Sequence, residues 1–121
     1  MEKEKVKGKV IYHNYGYGGG GISIAYGGSL KLIENEFLPE GVSLDEELCV
    51  LGSGVVGLTT AYLLVQKGYK VNLYGNLMPF QQEKGEPQLT STVAAGYWMP
   101  LKVANCKNEA TDSWKHFIEM L

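Results

Sequence analysis

The six residues at positions 52–57 read Gly-Ser-Gly-Val-Val-Gly, directly after a short apolar run and directly before a helical pattern. In a turn of this kind the first glycine allows the tight bend, the second lets the backbone approach a phosphate, and the third lets the helix pack closely on the strand. The N-terminus of the following helix offers N–H groups and a partial positive charge to an anion. The pattern therefore predicts a strand–turn–helix unit that binds the pyrophosphate of a dinucleotide. The predicted contacts are Gly52, Ser53, Gly54, Val55, Val56 and Gly57.

Strand and helix patterns alternate along the 121 residues, of which 45% are hydrophobic and 20% charged. Alternating apolar and polar residues predict strands, whereas apolar residues three and four positions apart predict amphipathic helices. We expect an α/β fold of minimal Rossmann-like type, in which helices pack on a three-stranded parallel sheet. The predicted strands are Lys5–His13, Glu47–Leu51 and Tyr69–Tyr74, with Glu47–Leu51 in the middle, and the predicted helices are Ile22–Asn35, Val55–Lys67 and a last helix capped by Thr111 or Asp112.

The remaining segments have weaker patterns. The stretch Phe37–Asp45 contains a proline and a glycine, which is typical of a connection. The polar stretch Met78–Gln88 predicts a mobile loop, and residues 91–100 are predicted to be irregular or weakly extended. The last helix is expected to pack through an apolar stripe of Trp114, Phe117, Ile118 and Leu121.

In a dinucleotide site of this type an acidic residue usually ends the second strand and binds the ribose hydroxyls. Here Tyr74 is followed by Gly75 and Asn76, and no acid is present at that point. The amide of Asn76 can donate and accept hydrogen bonds. We therefore expect Asn76 at the ribose, with a loss on the order of 1 kcal/mol relative to a carboxylate.

A second glycine-rich stretch lies between Gly16 and Gly28. A flexible linker would explain it. The stretch also carries Tyr17, Ile22 and Tyr26, however, which a solvated linker does not need. It is therefore interpreted as a second strand-to-helix turn, in which backbone approaches a ligand or another element closely.

Two parts of the chain resemble a known family. The segment Val50–Tyr74, followed by Thr90–Pro100 with its Ala-Ala-Gly run, resembles the N-terminal part of FAD-dependent D-amino-acid oxidases and D-aspartate oxidases. The segment Val10–Gly21, with its His-Asn-Tyr-Gly motif, is similar to the C-terminal signature of that family. The resemblance implies non-covalent FAD, with further contacts at Thr90, Ser91, Thr92, Ala95 and Gly96 and flavin contacts at Gly18, Gly19, Gly20, Gly21, Ile22 and Ser23.

The two family segments occur in reversed order, which predicts a circularly permuted FAD-binding domain. Residues 1–36 would supply the C-terminal type of strand, glycine loop and helix, residues 37–46 the connection, and residues 47–121 the N-terminal type of unit. All 11 residues counted as lysine or arginine are lysine. The arginine that holds the substrate carboxylate in such oxidases therefore has no counterpart, and we expect a single FAD-binding domain without a substrate domain and without oxidase turnover.

Other interpretations remain open at this point. The chain could be a complete or partner-dependent D-amino-acid oxidoreductase, or a minimal or designed structural scaffold with no bound cofactor. NAD is the alternative nucleotide, although the His-Asn-Tyr-Gly resemblance favours a flavin. The sequence fits both a natural fragment and an engineered permutation.

Charge and composition exclude several other classes. A net charge of −2 argues against nucleic-acid binding. The longest apolar stretch, Val55–Val65, is too short to span a bilayer, and the lysine-rich start has no apolar signal segment, so we expect a cytoplasmic protein. Two distant cysteines fit a reducing compartment, and with the two histidines they lack metal-ligand spacing. Exposed sheet edges predict self-association or a missing substrate domain as the partner.

Overall fold

A computed structural model describes residues 2–77, 88–94 and 107–119 of the chain. The predicted loop at 78–88 and the predicted irregular stretch at 91–100 therefore lie largely outside the described residues. The strands are β1 Glu2–Val6, β2 Lys9–His13, β3 Glu47–Leu51 and β4 Lys70–Tyr74, and the helices are α1 Gly21–Leu32, α2 Val55–Gln66, α3 Thr90–Val93 and α4 Lys107–Glu119. A π-helical turn at Ile33–Phe37 and a 3₁₀ turn at Leu38–Glu40 continue α1.

The unit formed by β3, α2 and β4 confirms the central part of the prediction. The two strands pair in parallel, with Glu47 opposite Lys70 and Leu51 opposite Tyr74. Helix α2 ends two residues before Gly68, whose φ of +91° fits a left-handed residue that ends a helix. Alternate strand residues face the helices, whereas Leu51 and Tyr74 are 81% and 58% exposed on the other face. Self-association through this surface stays a prediction.

The predicted first strand at Lys5–His13 is wrong. Residues 2–13 form a β-hairpin in which β1 pairs antiparallel with β2, and Val6 lies opposite Lys9. The two residues between them, Lys7 and Gly8, have φ values of +48° and +79°. Positive φ at both positions is the geometry of the two-residue hairpin turn that matches strand twist. Among the described strands the sheets are therefore two separate pairs and not one three-stranded parallel sheet.

The hydrophobic core lies between the end of α1 and the β3–α2–β4 unit. Its most buried members are Leu32, Ile33, Phe37, Leu63, Leu64 and Tyr69. Phe37 meets the rings of Tyr12 and Tyr69 edge-on, with centroids 5.7 Å and 5.1 Å away. The π-helical turn thus inserts an aromatic ring between the hairpin and the parallel pair, and the segment predicted to be only a connection contributes to the core.

Helix α4 begins earlier and packs on a different face than predicted. It starts at Lys107, and the Thr111 hydroxyl donates to the Lys107 carbonyl at 2.8 Å inside the helix instead of capping it. Trp114 and Ile118 of the expected apolar stripe are 43% and 49% exposed. The side chains of Phe117 and Leu121 lie outside the described part. The face toward α1 carries Glu109, Ser113 and His116 instead.

The contact between α1 and α4 is polar and close. The Gly27 N–H donates to the Ser113 Oγ at 2.8 Å, Lys31 pairs with the Glu109 carboxylate at 2.6 Å, and His116 stacks on Tyr26 at 3.8 Å. A Cβ at Gly27 would overlap the Glu109 carbonyl. Glycine at this position of α1 therefore allows the two backbones to approach each other. None of the described helices combines the length and the apolar character needed to cross a membrane.

Candidate functional site

Helices α1 and α2 lie side by side and run in the same direction. A Cβ on Gly21, at the start of α1, would lie 3.9 Å from Val55 at the start of α2. Farther along, the Ser29 and Thr60 hydroxyls are 2.9 Å apart. The two glycine-rich helix starts therefore lie next to each other on one side of the molecule.

The turn between β3 and α2 depends on two glycines. Gly52 has a φ of +115°, in the region that favours glycine, and its N–H donates to the Tyr74 carbonyl at 2.7 Å. A Cβ at Gly57 would overlap the carbonyl of Gly52. The first and third glycines of the motif thus hold the helix close to the strand end, in the roles that the sequence pattern predicts.

Backbone at the middle of this turn is open to a ligand. A Cβ at Gly52 would meet no atom within 4 Å, and at Gly54 the nearest atom would be the Ser91 Oγ at 3.9 Å. The first intrahelical bond of α2 runs from the Leu58 N–H to the Gly54 carbonyl at 3.0 Å. The N–H groups of Val55, Val56 and Gly57 precede it and point toward the helix N-terminus, where an anion is favoured.

Ser91, in the short helix α3, contacts this helix start. The Val55 N–H donates to the Ser91 Oγ at 3.1 Å. A hydroxyl oxygen therefore already takes the first N–H of α2, the group that the sequence assigns to a phosphate. Ser91 is half-buried, whereas Thr90 beside it is exposed. The side chain of Thr92, and Ala95 and Gly96, lie outside the described residues.

A cleft of about 560 Å³ opens at the carboxyl ends of β3 and β4. In open α/β sheets this is the edge at which ligands bind. The cleft includes three predicted site residues, Gly52, Ser53 and Asn76. Its described lining is Leu51, Gly52, Ser53, Tyr74, Gly75, Asn76, Leu77 and Leu89.

Ser53 is buried at the base of this cleft. Its hydroxyl donates to the Leu77 carbonyl, and a Cβ at Gly75 would overlap the Ser53 side chain. The strand end after Tyr74 is thus held against the glycine turn by a contact that only a glycine at 75 allows.

The turn before α1 is held by a network of polar side chains. The Asn14 amide donates to the Ser29 Oγ at 3.0 Å and to the Thr60 Oγ1 at 2.9 Å, and the Tyr17 hydroxyl donates to the Asn14 Oδ1. Burial, together with the nearby Glu109 carboxylate, raises the pKa of Tyr17 to about 12. The phenol therefore keeps its proton and remains a donor at neutral pH.

The predicted flavin contacts lie at the start of α1. Gly18 has a φ of +56°, Gly19 has open space around it, and Gly20 is the buried residue that precedes the helix. Ile22 is 38% exposed, but Ser23 is 2% exposed. The structure thus brings Gly21 and Ile22 to the surface beside Val55 and buries the side chain of Ser23.

His13 orders the hairpin. Its Nε2 lies 3.0 Å from the Glu4 carboxylate, and its ring meets Tyr15 edge-on at 5.6 Å. Within the described residues no group of three or more histidine, cysteine or acidic side chains could hold a metal ion.

Several residues that form the site were not predicted from the sequence. The Asn14–Tyr17 pair had a signal in the His-Asn-Tyr-Gly motif, but the motif was used only as a family resemblance, without a role for Asn14. The glycine pair at 27–28 had a signal too, because glycine inside a helical pattern indicates a close approach. In the structure, a Cβ at Gly28 would overlap the Tyr17 ring. The capping bond from Ser91 has no local sequence signal, since 36 residues separate it from Val55.

Part of the chain is similar to a D-amino-acid oxidase of Streptomyces coelicolor, with 41% identity over 59 residues. The similar stretch covers 49% of this chain and 16% of the length of that oxidase. No protein-family model matches the chain, and no solved structure matches it. The similarity gives the chain a distant link to D-amino-acid oxidases, and with it to flavin-dependent oxidoreductases at the level of the family.

Proposed function

We propose that this chain binds FAD non-covalently and does not by itself oxidise D-amino acids. The observation that carries the proposal is the open glycine backbone at the carboxyl ends of a parallel strand pair, with a second helix start beside it. The partial similarity to a D-amino-acid oxidase favours FAD over other dinucleotides. The proposal includes a circular permutation, in which the segment that resembles the C-terminal part of the oxidase family precedes the segment that resembles its N-terminal part.

The pyrophosphate would lie at the turn from Gly52 to Gly57. Open space at Gly54 lets a phosphate approach the backbone, and the N–H groups of Val55, Val56 and Gly57 would donate to it. The ribose would then lie in the cleft near Asn76. Among the described residues, the site therefore fits the adenosine diphosphate half of the cofactor without a charged side chain.

The flavin end would lie toward the start of α1. The proposed donors are the backbone N–H groups of Gly18, Gly19, Gly21 and Ile22, since Gly21 is adjacent to Val55, whereas the Gly20 N–H already donates to the Tyr17 carbonyl at 2.9 Å. Ser23 would contribute through its backbone, because its side chain is buried. Thr90 would close the site from the side of α3, where Ser91 would release the Val55 N–H to the phosphate. The resemblance adds Thr92, Ala95 and Gly96 as contacts.

FAD supplies the two-electron redox chemistry when it is bound. The residues of this chain would bind it and orient it. An amino-acid substrate also needs its carboxylate held so that its α-carbon meets the flavin in a reactive geometry. The chain has no arginine for that purpose, so substrate orientation would have to come from another domain or partner.

FAD titration of the purified chain, followed by flavin absorbance and fluorescence, tests the binding. Replacing Gly54 with leucine should abolish binding with the fold intact by circular dichroism, because the side chain would occupy the approach path of the phosphate. Gln66→Leu places the same side chain on an exposed position at the other end of α2 and should bind FAD normally. Unchanged affinity in the Gly54 variant would exclude the proposed pyrophosphate site.

Anaerobic mixing with millimolar D-alanine or D-aspartate tests the second half of the proposal. Dithionite should reduce the bound flavin and oxygen should reoxidise it, whereas the two amino acids should leave its absorbance unchanged. Rapid bleaching by either amino acid would establish a complete oxidase. A chain that folds but takes up no FAD would favour the scaffold interpretation.

A further inference from the structure

The cleft at the strand ends has an uncharged lining among its described residues. Four of the lining residues are leucine or tyrosine, two are glycine, and the two with small polar side chains are Ser53 and Asn76. Ser53 already donates to the Leu77 carbonyl. Asn76 is exposed, so its amide is the polar group best placed to meet a sugar in the cleft.

The close contact between Ser53 and Gly75 excludes a side chain at position 75. A carboxylate that binds ribose hydroxyls would have to come from the residues directly after Tyr74. A side chain at position 75 would overlap Ser53, so the first position that can carry one into the cleft is Asn76. Its amide offers both a donor and an acceptor and repels neither a hydroxyl nor a phosphate.

Charged residues of the two strands lie at the far end of the pair. Glu47 and Lys70 are opposite each other at the amino ends, about 13 Å from the carboxyl ends at about 3.3 Å per residue. That distance exceeds the Debye length of about 8 Å at physiological ionic strength. Neither residue can therefore select for or against a phosphate in the cleft.

On the basis of the proposed nucleotide site, we propose that the ribose end of the cleft accepts adenine dinucleotides with a 2′-phosphate as readily as those with a free 2′-hydroxyl. A carboxylate at this position favours the hydroxyl and repels the phosphate, and this chain has an amide instead. Asn76 is then the residue that sets this specificity. The ligands of the site would include 2′-phosphorylated adenosine diphosphate compounds besides FAD.

The test compares ADP-ribose with its 2′-phosphate by isothermal titration calorimetry, since the two probes differ only in that group. The wild-type chain should bind both with dissociation constants within about threefold of each other, because a change of about 1.4 kcal/mol is needed for a tenfold difference. Asn76→Asp should tighten ADP-ribose, weaken the phosphorylated probe, and separate the two by about tenfold or more. Asn76→Ser, a neutral control, should keep them together.

Each outcome decides a different point. If the wild-type chain binds ADP-ribose and rejects its 2′-phosphate, the specificity inference is wrong and the nucleotide site stands. An equal affinity of the Asp variant for both probes would show that position 76 does not face the ribose, and would also overturn the inference. If neither probe binds a folded chain, the proposed nucleotide site is itself wrong.

Discussion

The turns before α1 and α2 are both rich in glycine, but the structure uses these glycines in different places. Before α2 the glycines that are needed lie within the turn itself, because Gly52 has a φ of +115° and a Cβ at Gly57 would overlap the Gly52 carbonyl. In α1 the glycines that allow a close approach lie nearly two turns inside the helix, where Gly27 contacts the α4 backbone and Gly28 contacts the Tyr17 ring. Gly52 and Gly57 direct the backbone of the second turn toward open space, whereas Gly27 and Gly28 let α4 and Tyr17 pack against α1.

This difference separates a turn in which the motif glycines set the backbone geometry from a turn that is held by its own side chains. Asn14 and Tyr17 connect the first turn to Ser29 and Thr60 through three hydrogen bonds. The second turn is held by three hydrogen bonds as well, from Gly52, Ser53 and Val55, but their partners lie outside the turn, and the cleft borders it. A glycine count alone therefore does not identify a nucleotide site. The neighbours that a Cβ would meet at each position make that distinction.

Replacing Gly57 with alanine should have the largest effect, because the new Cβ would overlap backbone that cannot rotate away. We expect a loss of about 3 kcal/mol in the free energy of unfolding, at the upper end of the range for overpacking. Urea denaturation followed by circular dichroism measures it. Gly19→Ala is the matched control in the other turn, where the added Cβ has no atom within 4 Å, and it should change stability by less than about 0.5 kcal/mol. Equal effects of the two substitutions would remove the contrast between the turns.

The next effect concerns the polar network of the first turn. Thr60→Val keeps the shape of the side chain but removes the hydroxyl that pairs with Asn14, Ser29 and the Val56 carbonyl. Buried groups left without a partner should lower the free energy of unfolding by about 1–3 kcal/mol. Thr59→Val, one residue earlier on the same helix, serves as the control and should have a smaller effect. If both variants unfold alike, the network does not stabilise the turn.

The same contrast explains how much of the molecule the sequence could predict. The β3–α2–β4 unit was predicted to within one residue at each boundary, because its signals are local: a short apolar strand, a glycine turn and a helix that ends at Gly68. The hairpin also had a local signal, with Lys7-Gly8 between two alternating strands. It was missed because the alternation continues across the turn and resembles one long strand.

The α4 helix and the α3 contact could not be predicted in the same way. An apolar stripe ordinarily marks the packed face of a helix, but here Gly27 lets the backbone of α4 approach closely enough for Ser113 and Glu109 to form the contact. That packing depends on residues more than 75 positions apart. A periodicity within a single helix contains no information about it.

The Glu109–Lys31 pair predicts a smaller effect that depends on pH. Burial works to raise the pKa of Glu109, but the hydrogen bond and charge of Lys31, with a backbone hydrogen bond, outweigh it and lower the pKa. Because the pKa of Glu109 is lower in the folded chain than its ordinary value of 4.5, the pair stabilises the fold at pH values above 4.5. This stabilisation is lost as the pH falls through the pKa of the folded chain. Since Lys31 is 44% exposed, we expect a contribution of about 1 kcal/mol or less.

Urea unfolding at pH 7 and at several values below 4.5 measures this contribution. Glu109→Gln removes the titrating group but keeps a side chain of similar shape, so its stability should depend less on pH across that window. If the variant loses stability on acidification as steeply as the wild-type chain, other carboxylates account for the acid sensitivity. The packing of α1 on α4 would then not depend on this ion pair.

The smallest effect is expected at Ser91, where the second turn meets a side chain. The Ser91 hydroxyl accepts from the Val55 N–H at 3.1 Å, and a phosphate at the helix start would need the same N–H. Ser91→Ala should therefore destabilise the ligand-free chain by about 0.5–1 kcal/mol, as expected for loss of a capping bond. The variant should bind FAD about twofold to fivefold more tightly, because the ligand-free chain no longer has the Ser91–Val55 hydrogen bond that FAD would have to break. Val93→Ala, at a 62% exposed position of the same short helix that is not assigned to the site, should change neither quantity. Weaker FAD binding by the Ser91 variant would mean that the hydroxyl turns to the phosphate when the ligand arrives, so that Ser91 would be a ligand contact and not a competitor.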